Sequence, residues 1–178
     1  GQLLGPADRL LLRRVVVSTY QAVSGKGQKG IDQLIAEEEA EASRPGGFKN
    51  PAGPSQVGRA FAHVIHRNAL PHIDDFTPNG YTKEELKMLY ETRKIMGLPN
   101  VRVTPTAVRV PVRNSHSESV LAEFDKAIDP ETARRLLAKA PGVSLVDDPA
   151  SAKYPLAVDA AGKDEVVVGR IRPARDNE

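Results

Sequence analysis

Residues 13–30, Arg13-Arg14-Val15-Val16-Val17-Ser18-Thr19-Tyr20-Gln21-Ala22-Val23-Ser24-Gly25-Lys26-Gly27-Gln28-Lys29-Gly30, decide how the chain is read. The β-branched run of residues 13–20 fits a buried strand, where branched side chains pack well on a pleated surface. Three glycines then turn the chain. Beyond them Ile31, Leu34 and Ile35 recur at helical spacing, which predicts a helix from Gln28 to about Ala42. Gly25-Lys26-Gly27-Gln28-Lys29-Gly30 fits G-x-G-x-x-G between a strand and a helix, the setting of a dinucleotide fingerprint. That fingerprint also needs a second parallel strand ending in Asp or Glu about 20 residues on. Here residues 43–58, SRPGGFKNPAGPSQVG, read instead as a flexible Pro/Gly loop. Turn chemistry is the better reading of the glycines.

Working outward, residues 1–12 read as the tail of a helix that leads into the first strand. Residues 61–73 read as a strand ending at Pro71. Thr82-Lys83-Glu84-Glu85 is a capping-box pattern that opens a helix expected to stop at Gly97. Residues 101–112 and 117–125 read as strands separated by Arg113-Asn114-Ser115. Asp129-Pro130-Glu131 opens a helix through Ala140, with proline at its first position. Residues 143–146 and 165–172 complete the strands. Strands that follow one another directly argue against a simple alternating βα series, so a mixed sheet with helices packed on one face is expected.

The 178 residues suffice for one domain with a core of its own. Lys and Arg total 25 against 23 Asp and Glu, too even a balance to suggest a nucleic-acid partner. The sequence has no cysteine, which excludes disulfides, thiolate metal sites and a cysteine nucleophile within it. No apolar run approaches the roughly 20 residues needed to cross a bilayer. The first residues lack a signal-peptide pattern, so a cytoplasmic location is expected. His63, His66 and His72 match no familiar ligand spacing, and no metal site is expected.

Four stretches, in order, carry a resemblance. They are Val17-Ser18-Thr19-Tyr20-Gln21-Ala22-Val23-Ser24-Gly25, residues 87–97 (KMLYETRKIMG), Val108-Arg109-Val110-Pro111-Val112 with Asn114-Ser115-His116-Ser117-Glu118-Ser119, and Ala160-Ala161-Gly162-Lys163-Asp164-Glu165 with Val168-Gly169-Arg170-Ile171-Arg172. Together they resemble the aspartate-semialdehyde dehydrogenase family, in the branch common in many bacteria, from near Leu3 to Arg172. The resemblance implies an α+β fold of the glyceraldehyde-3-phosphate dehydrogenase C-terminal type, with a predominantly antiparallel mixed sheet. Residues 1–178 would form one substrate-binding and dimerisation domain, a homodimer that binds a small molecule. The family reduces aspartyl phosphate to aspartate semialdehyde with NADPH, on the way to lysine, methionine and threonine, through a cysteine thioacyl intermediate.

The resemblance also assigns roles. Gln21 and Glu91 would contact the substrate, and Arg109 would bind its carboxylate. His116 would be the acid/base residue. Lys87 would bind phosphate, with Lys94 as the alternative. Ser24 and Gly25 would lie beside the nicotinamide end of NADP. Each is chemically apt: a guanidinium can hold a carboxylate by two parallel bonds, imidazole exchanges protons near neutrality, and lysine is a compact charge for phosphate. Read without the resemblance, Arg109 would be a surface arginine, His116 a turn residue, and Lys87, Glu91 and Lys94 a solvated helix face. Spacing offers a test. Arg109 and His116 are seven residues apart, which on one unbroken strand means opposite faces and about 23 Å. They can share a site only if the chain bends near residues 113–115.

Departures from the family pattern matter as well. Its nucleotide-binding domain, its nucleophilic cysteine and its C-terminal helix are not in this sequence, and Ala107 stands where relatives often have cysteine. A thioacyl step needs a thiolate, so the chain alone is expected to be inactive. The alternatives are a non-catalytic dimerisation or ligand-binding module, and a related acyl-phosphate reductase of arginine biosynthesis. The string from Tyr20 to Gly25 argues against the second of these.

Overall fold

The computed structural model describes residues 12–43 and 60–174. In order these form β1 (Leu12–Gln21), a 3-10 turn (Val23–Lys26), α1 (Gln28–Ala42), α2 (Lys83–Met96), β2 (Arg102–Arg109) and β3 (Ser117–Phe124). Then follow α3 (Pro130–Leu137), β4 (Val143–Leu145), a 3-10 turn (Pro149–Ser151), α4 (Ala157–Ala160) and β5 (Val166–Val168). The fold is mixed α+β, as expected. One sheet has the order β2-β1-β3, and β4 pairs with β5 in parallel. The expected N-terminal helix tail and nearly all of the expected Pro/Gly loop lie outside the described residues.

The chain divides into two compact units. The first takes residues 12–17, 86–105 and 119–174; the second takes residues 18–43, 60–85 and 106–118. The three long strands contribute residues to both.

In the second unit, Thr19 and Gln21 of β1 are buried, and so are Ala107 and Arg109 of β2. That is the period-2 signature of one covered sheet face, here carrying polar groups as well as apolar ones. The Val110 N–H donates to the Gln21 carbonyl at 3.0 Å and the Val23 N–H to the Val112 carbonyl at 2.8 Å. The chains leaving β1 and β2 therefore advance side by side in the same direction. Val23, Leu34, Phe61, Ile65 and Leu70 form the apolar core of this unit.

The expected strand over residues 61–73 is not there; Leu70 alone makes a bridge, to Arg109. The reason is a competitor for its backbone donors. Gln33 Oε1 of α1 accepts from the N–H groups of Ala60 and Phe61, and Glu37 Oε2 accepts from those of Ile65 and His66. Glu41, one turn further on, pairs with His66 and Arg67. A helix face thus takes up donors that a sheet ladder would have used.

The capping box forms as expected. The Thr82 N–H donates to Glu85 Oε2 at 2.8 Å and the Glu85 N–H to Thr82 Oγ1 at 3.3 Å. Glu85 Oε1 also accepts from the Ala107 N–H at 2.9 Å, tying the start of α2 to β2. Helix α2 ends before Gly97, whose φ of 65° suits glycine.

In the first unit Leu12, Leu98 and Val101 are buried together, with Val15, Met96, Val103 and Phe124 packed against them. Arg13 pairs with Asp125 and Arg14 with Glu123, so β1 meets β3 in opposite order. Strand β3 lies at one end of its sheet and leaves Val120 and Leu121 exposed. Helix α3 has Pro130 at its first turn and the Asp129 carboxylate on the Thr132 N–H, as the sequence implied, but closes at Leu137 rather than Ala140.

Strand β5 is shorter than the expected 165–172. Gly169 packs so close to the Val146 carbonyl that a Cβ there would lie 1.9 Å from its oxygen, and Arg170 turns with φ 58°. Asp147, its side chain 2% exposed, then accepts from the N–H groups of Arg170 at 2.6 Å and Ile171 at 3.3 Å and from Arg134 Nε at 2.7 Å. Burial opposes its ionisation, but these donors outweigh it and hold the carboxyl below its ordinary 3.8. A carboxylate so depressed stabilises the fold above its unfolded pKa and loses that contribution as pH falls through the folded one. Asp147→Ala should lower the unfolding free energy by about 1–3 kcal/mol at neutral pH. In denaturant melts the difference from the unsubstituted chain should shrink below about pH 4.

Candidate functional site

Arg109 ends β2 with its side chain turned inward, 4% exposed. Its backbone is clamped to Leu70 by two bonds, at 2.8 and 2.9 Å. Its Nη1 donates to the Ala22 carbonyl at 2.7 Å, and its guanidinium carbon lies 5.8 Å from the Phe61 ring centre. Desolvation lowers its pKa, while Glu84 works the other way. The group nevertheless stays cationic, because arginine titrates far above neutrality.

The expected bend between β2 and β3 is present. Strand β2 stops at Arg109, β3 starts at Ser117, and Ser115 adopts φ 69°. It brings His116 back over the turn that follows β1, where the Ala22 N–H donates to His116 Nδ1 at 3.2 Å. Burial lowers the His116 pKa below its ordinary 6.5; the Arg109 charge adds to this and Glu84 opposes it. Arg109 and His116 face one another. A Cβ built on Gly25 would lie 2.7 Å from Arg109 Nη1 and 3.2 Å from His116 Nε2, so both groups close on the same point.

Gln21, 6% exposed, brings its Nε2 to 3.4 Å from Glu84 Oε1. Glu84 is thus a fourth polar member of the cluster, and the sequence reading missed it. The signal was available: Glu84 belongs to the capping-box string and needed only the period-2 alignment of Gln21 with Arg109 to be drawn in. Of the residues expected at the site, the structure brings together Gln21, Ser24, Gly25, Arg109 and His116. Lys87, Glu91 and Lys94 lie exposed on α2 in the other unit.

The glycine turn has little to offer a nucleotide. The N–H groups of Val23, Ser24, Gly25, Gly27 and Gly30 donate to Val112, Arg113, Ala22, Ser24 and Gly27 carbonyls respectively. A pyrophosphate cradle needs such donors free. These five donors of the turn therefore do not form a phosphate cradle, and what Ser24 and Gly25 can provide is a surface. Among the described residues no group of three or more His, Asp or Glu could hold a metal ion, and no helix is long and apolar enough to cross a membrane.

A cationic guanidinium and an imidazole converge on Gly25, with an amide and a carboxylate bonded to each other nearby, a grouping of the class that suits small molecules of mixed charge. The comparisons give that class a family. Residues 4–178 match the profile described as semialdehyde dehydrogenase, dimerisation domain, and the chain belongs to that family. Aspartate-semialdehyde dehydrogenase of Aquifex aeolicus is 51% identical over 168 residues, 94% of this chain and 47% of that protein. The Legionella pneumophila protein of the same name is 49% identical over 93% of this chain and 45% of its own length. The chain spans about half the length of the curated relatives it matches. Among solved structures, aspartate semialdehyde dehydrogenase II of Vibrio cholerae complexed with ASA superposes with a TM-score of 0.83 at 39% identity, covering 98% of this chain and 49% of that one. The Candida albicans enzyme with NADP shares the fold, with a TM-score of 0.59 at 20% identity over 90% of this chain and 41% of that one.

Glu84 supports the imidazolium form of His116. Glu84→Gln should therefore lower the His116 pKa further, a shift to be followed by NMR titration of its ring protons. A rise would contradict the arrangement.

Proposed function

We propose that this chain is the substrate-binding and dimerisation part of an NADP-dependent aspartate-semialdehyde dehydrogenase, a cytoplasmic enzyme of amino-acid biosynthesis. The observation that carries the reading is the convergence of Arg109 and His116 on Gly25, with Glu84, bonded to Gln21, acting on the charge of both. Arg109 takes the substrate α-carboxylate through its guanidinium fork. A carboxylate is the natural partner for the α-ammonium, and Glu84 is the better supported candidate through its bond to Gln21. Glu91 is suggested by the resemblance alone. Lys87, with Lys94 as the alternative, serves the phosphate end. His116 handles proton and hydrogen-bond demands at the reacting carbon. The Vibrio cholerae structure with ASA supports the substrate class. NADP, where bound, would supply the hydride, and Ser24 and Gly25 would lie beside its nicotinamide.

The sequence contains no cysteine. Thioacyl formation cannot occur on these residues alone, so the purified chain should give only background NADP reduction with aspartate semialdehyde and phosphate. Turnover above background would overturn the reading. The same chain should still bind the semialdehyde, with heat released in calorimetry, and Arg109→Leu should weaken that binding at least tenfold (about 1.4 kcal/mol). Unchanged affinity in Arg109→Leu would remove the carboxylate pocket.

The subunit partner is a second copy of the chain. The outer strand β3 is exposed on both faces, with the apolar Val120 on one and Leu121 on the other, as expected of a strand that a second subunit covers. Sedimentation at micromolar concentration should give a dimer, and a clean monomer would count against it.

A further inference from the structure

The backbone of Ala22 serves two side chains at once. Its N–H donates to His116 Nδ1 at 3.2 Å, and its carbonyl accepts from Arg109 Nη1 at 2.7 Å. Ala22 itself is fully buried, so solvent does not compete for these groups. An amide N–H has a proton to give and no lone pair to offer. The ring nitrogen that faces it must be the one with the free lone pair. In neutral imidazole the proton then resides on the other nitrogen, Nε2. That is also the nitrogen turned towards Gly25, 3.2 Å from where a Cβ would stand, at the point on which Arg109 Nη1 converges.

We propose that the Ala22 N–H fixes His116 in the tautomer carrying its proton on Nε2, so that the imidazole meets a ligand over Gly25 as a neutral hydrogen-bond donor, the acid half of its acid/base role. The tautomer stands on the Ala22 geometry alone, whereas the ligand rests on the cleft being a semialdehyde site as read above.

Charge follows from the same bond. A second proton would have to enter at Nδ1, against the Ala22 N–H, and would leave a buried amide without an acceptor. Burial disfavours the imidazolium first, Arg109 on β2 adds to this, Glu84 at the start of α2 opposes it, and the balance falls below 6.5. Arg109 therefore carries the positive charge of the cleft, while His116 contributes direction. A fixed charge beside a neutral donor suits an oxygen that gains negative charge during reaction, since neither group must reorganise or surrender a proton to stabilise it.

The test is a long-range nitrogen–proton correlation spectrum of the chain labelled with [15N]histidine, recorded from about pH 5 to 8. His116→Gln identifies the signals. The Nε2–H pattern is expected, unchanged through neutrality and with a midpoint below 6.5. An Nδ1–H pattern, or a midpoint at or above 6.5, overturns the proposal. Ala22→Pro gives a second arm, because Ala22 already has φ −64°, the angle proline imposes, and Gln21 before it is in a strand. The substitution removes the N–H donor, so mixed tautomers and a midpoint moving towards 6.5 are expected. A folded Ala22→Pro chain with an unaltered His116 tautomer refutes the proposal. If that variant does not fold, the unsubstituted spectrum decides alone.

Titration with aspartate semialdehyde should then move the Nε2 signal while Nδ1 holds its position. A ligand that binds, by calorimetry, without moving Nε2 removes the donor role. A ligand that does not bind removes the reading of the cleft and leaves the tautomer to stand on its spectrum.

Discussion

A guanidinium buried to 4% exposure must be paired inside the protein or it would not remain there. Arg109 is paired with a backbone carbonyl, that of Ala22, and stacked against Phe61. Much of the second unit reads as the consequence. The chain must leave β1 as a turn, so that the Ala22 carbonyl points at β2. Leu70 must hold the Arg109 backbone from the outer side. Gly25 must lack a side chain, because the space its Cβ would take is already filled by Arg109 and His116.

The three glycines illustrate how one string can satisfy a motif for unrelated reasons. Gly25 makes room for two side chains, Gly27 supplies a φ of 73° at the head of α1, and Gly30 lets that helix approach Val23, whose carbonyl oxygen would lie 2.4 Å from a Cβ. Each reason concerns packing or backbone conformation. Five of the loop's amide groups are already bonded to carbonyls of the turn or of Val112 and Arg113, so resemblance to a phosphate-binding fingerprint is a matter of spelling here and not of chemistry.

Local chemistry was the legible part. The strand at residues 13–20, the helix from Gln28 to Ala42, the Thr82–Glu85 box, the stop at Gly97 and the Asp129–Pro130 cap all follow from near neighbours in sequence. The bend near Ser115 was legible too, as a geometric necessity if Arg109 and His116 were to meet. What failed was whatever depended on a distant competitor. Residues 61–73 have strand composition, yet their donors are taken by Gln33 and Glu37. Residues 170–172 carry on from β5 with an alternating Arg-Ile-Arg, yet Asp147 binds the N–H groups of Arg170 and Ile171 in place of a ladder. Glu84 escaped notice because a carboxylate in a helix's first turn has a sufficient local explanation, and only the fold adds Gln21 beside it.

The ladder of Gln33, Glu37 and Glu41 has a bearing on how this domain can drift over generations. Because the three acceptors rise one turn at a time along α1, inserting or deleting a single residue within that helix would rotate the remaining rungs by about 100° and unhook the segment they hold. Length variation among descendants should therefore be purged from the helix, a pattern written by hydrogen-bond spacing alone and owing nothing to catalysis.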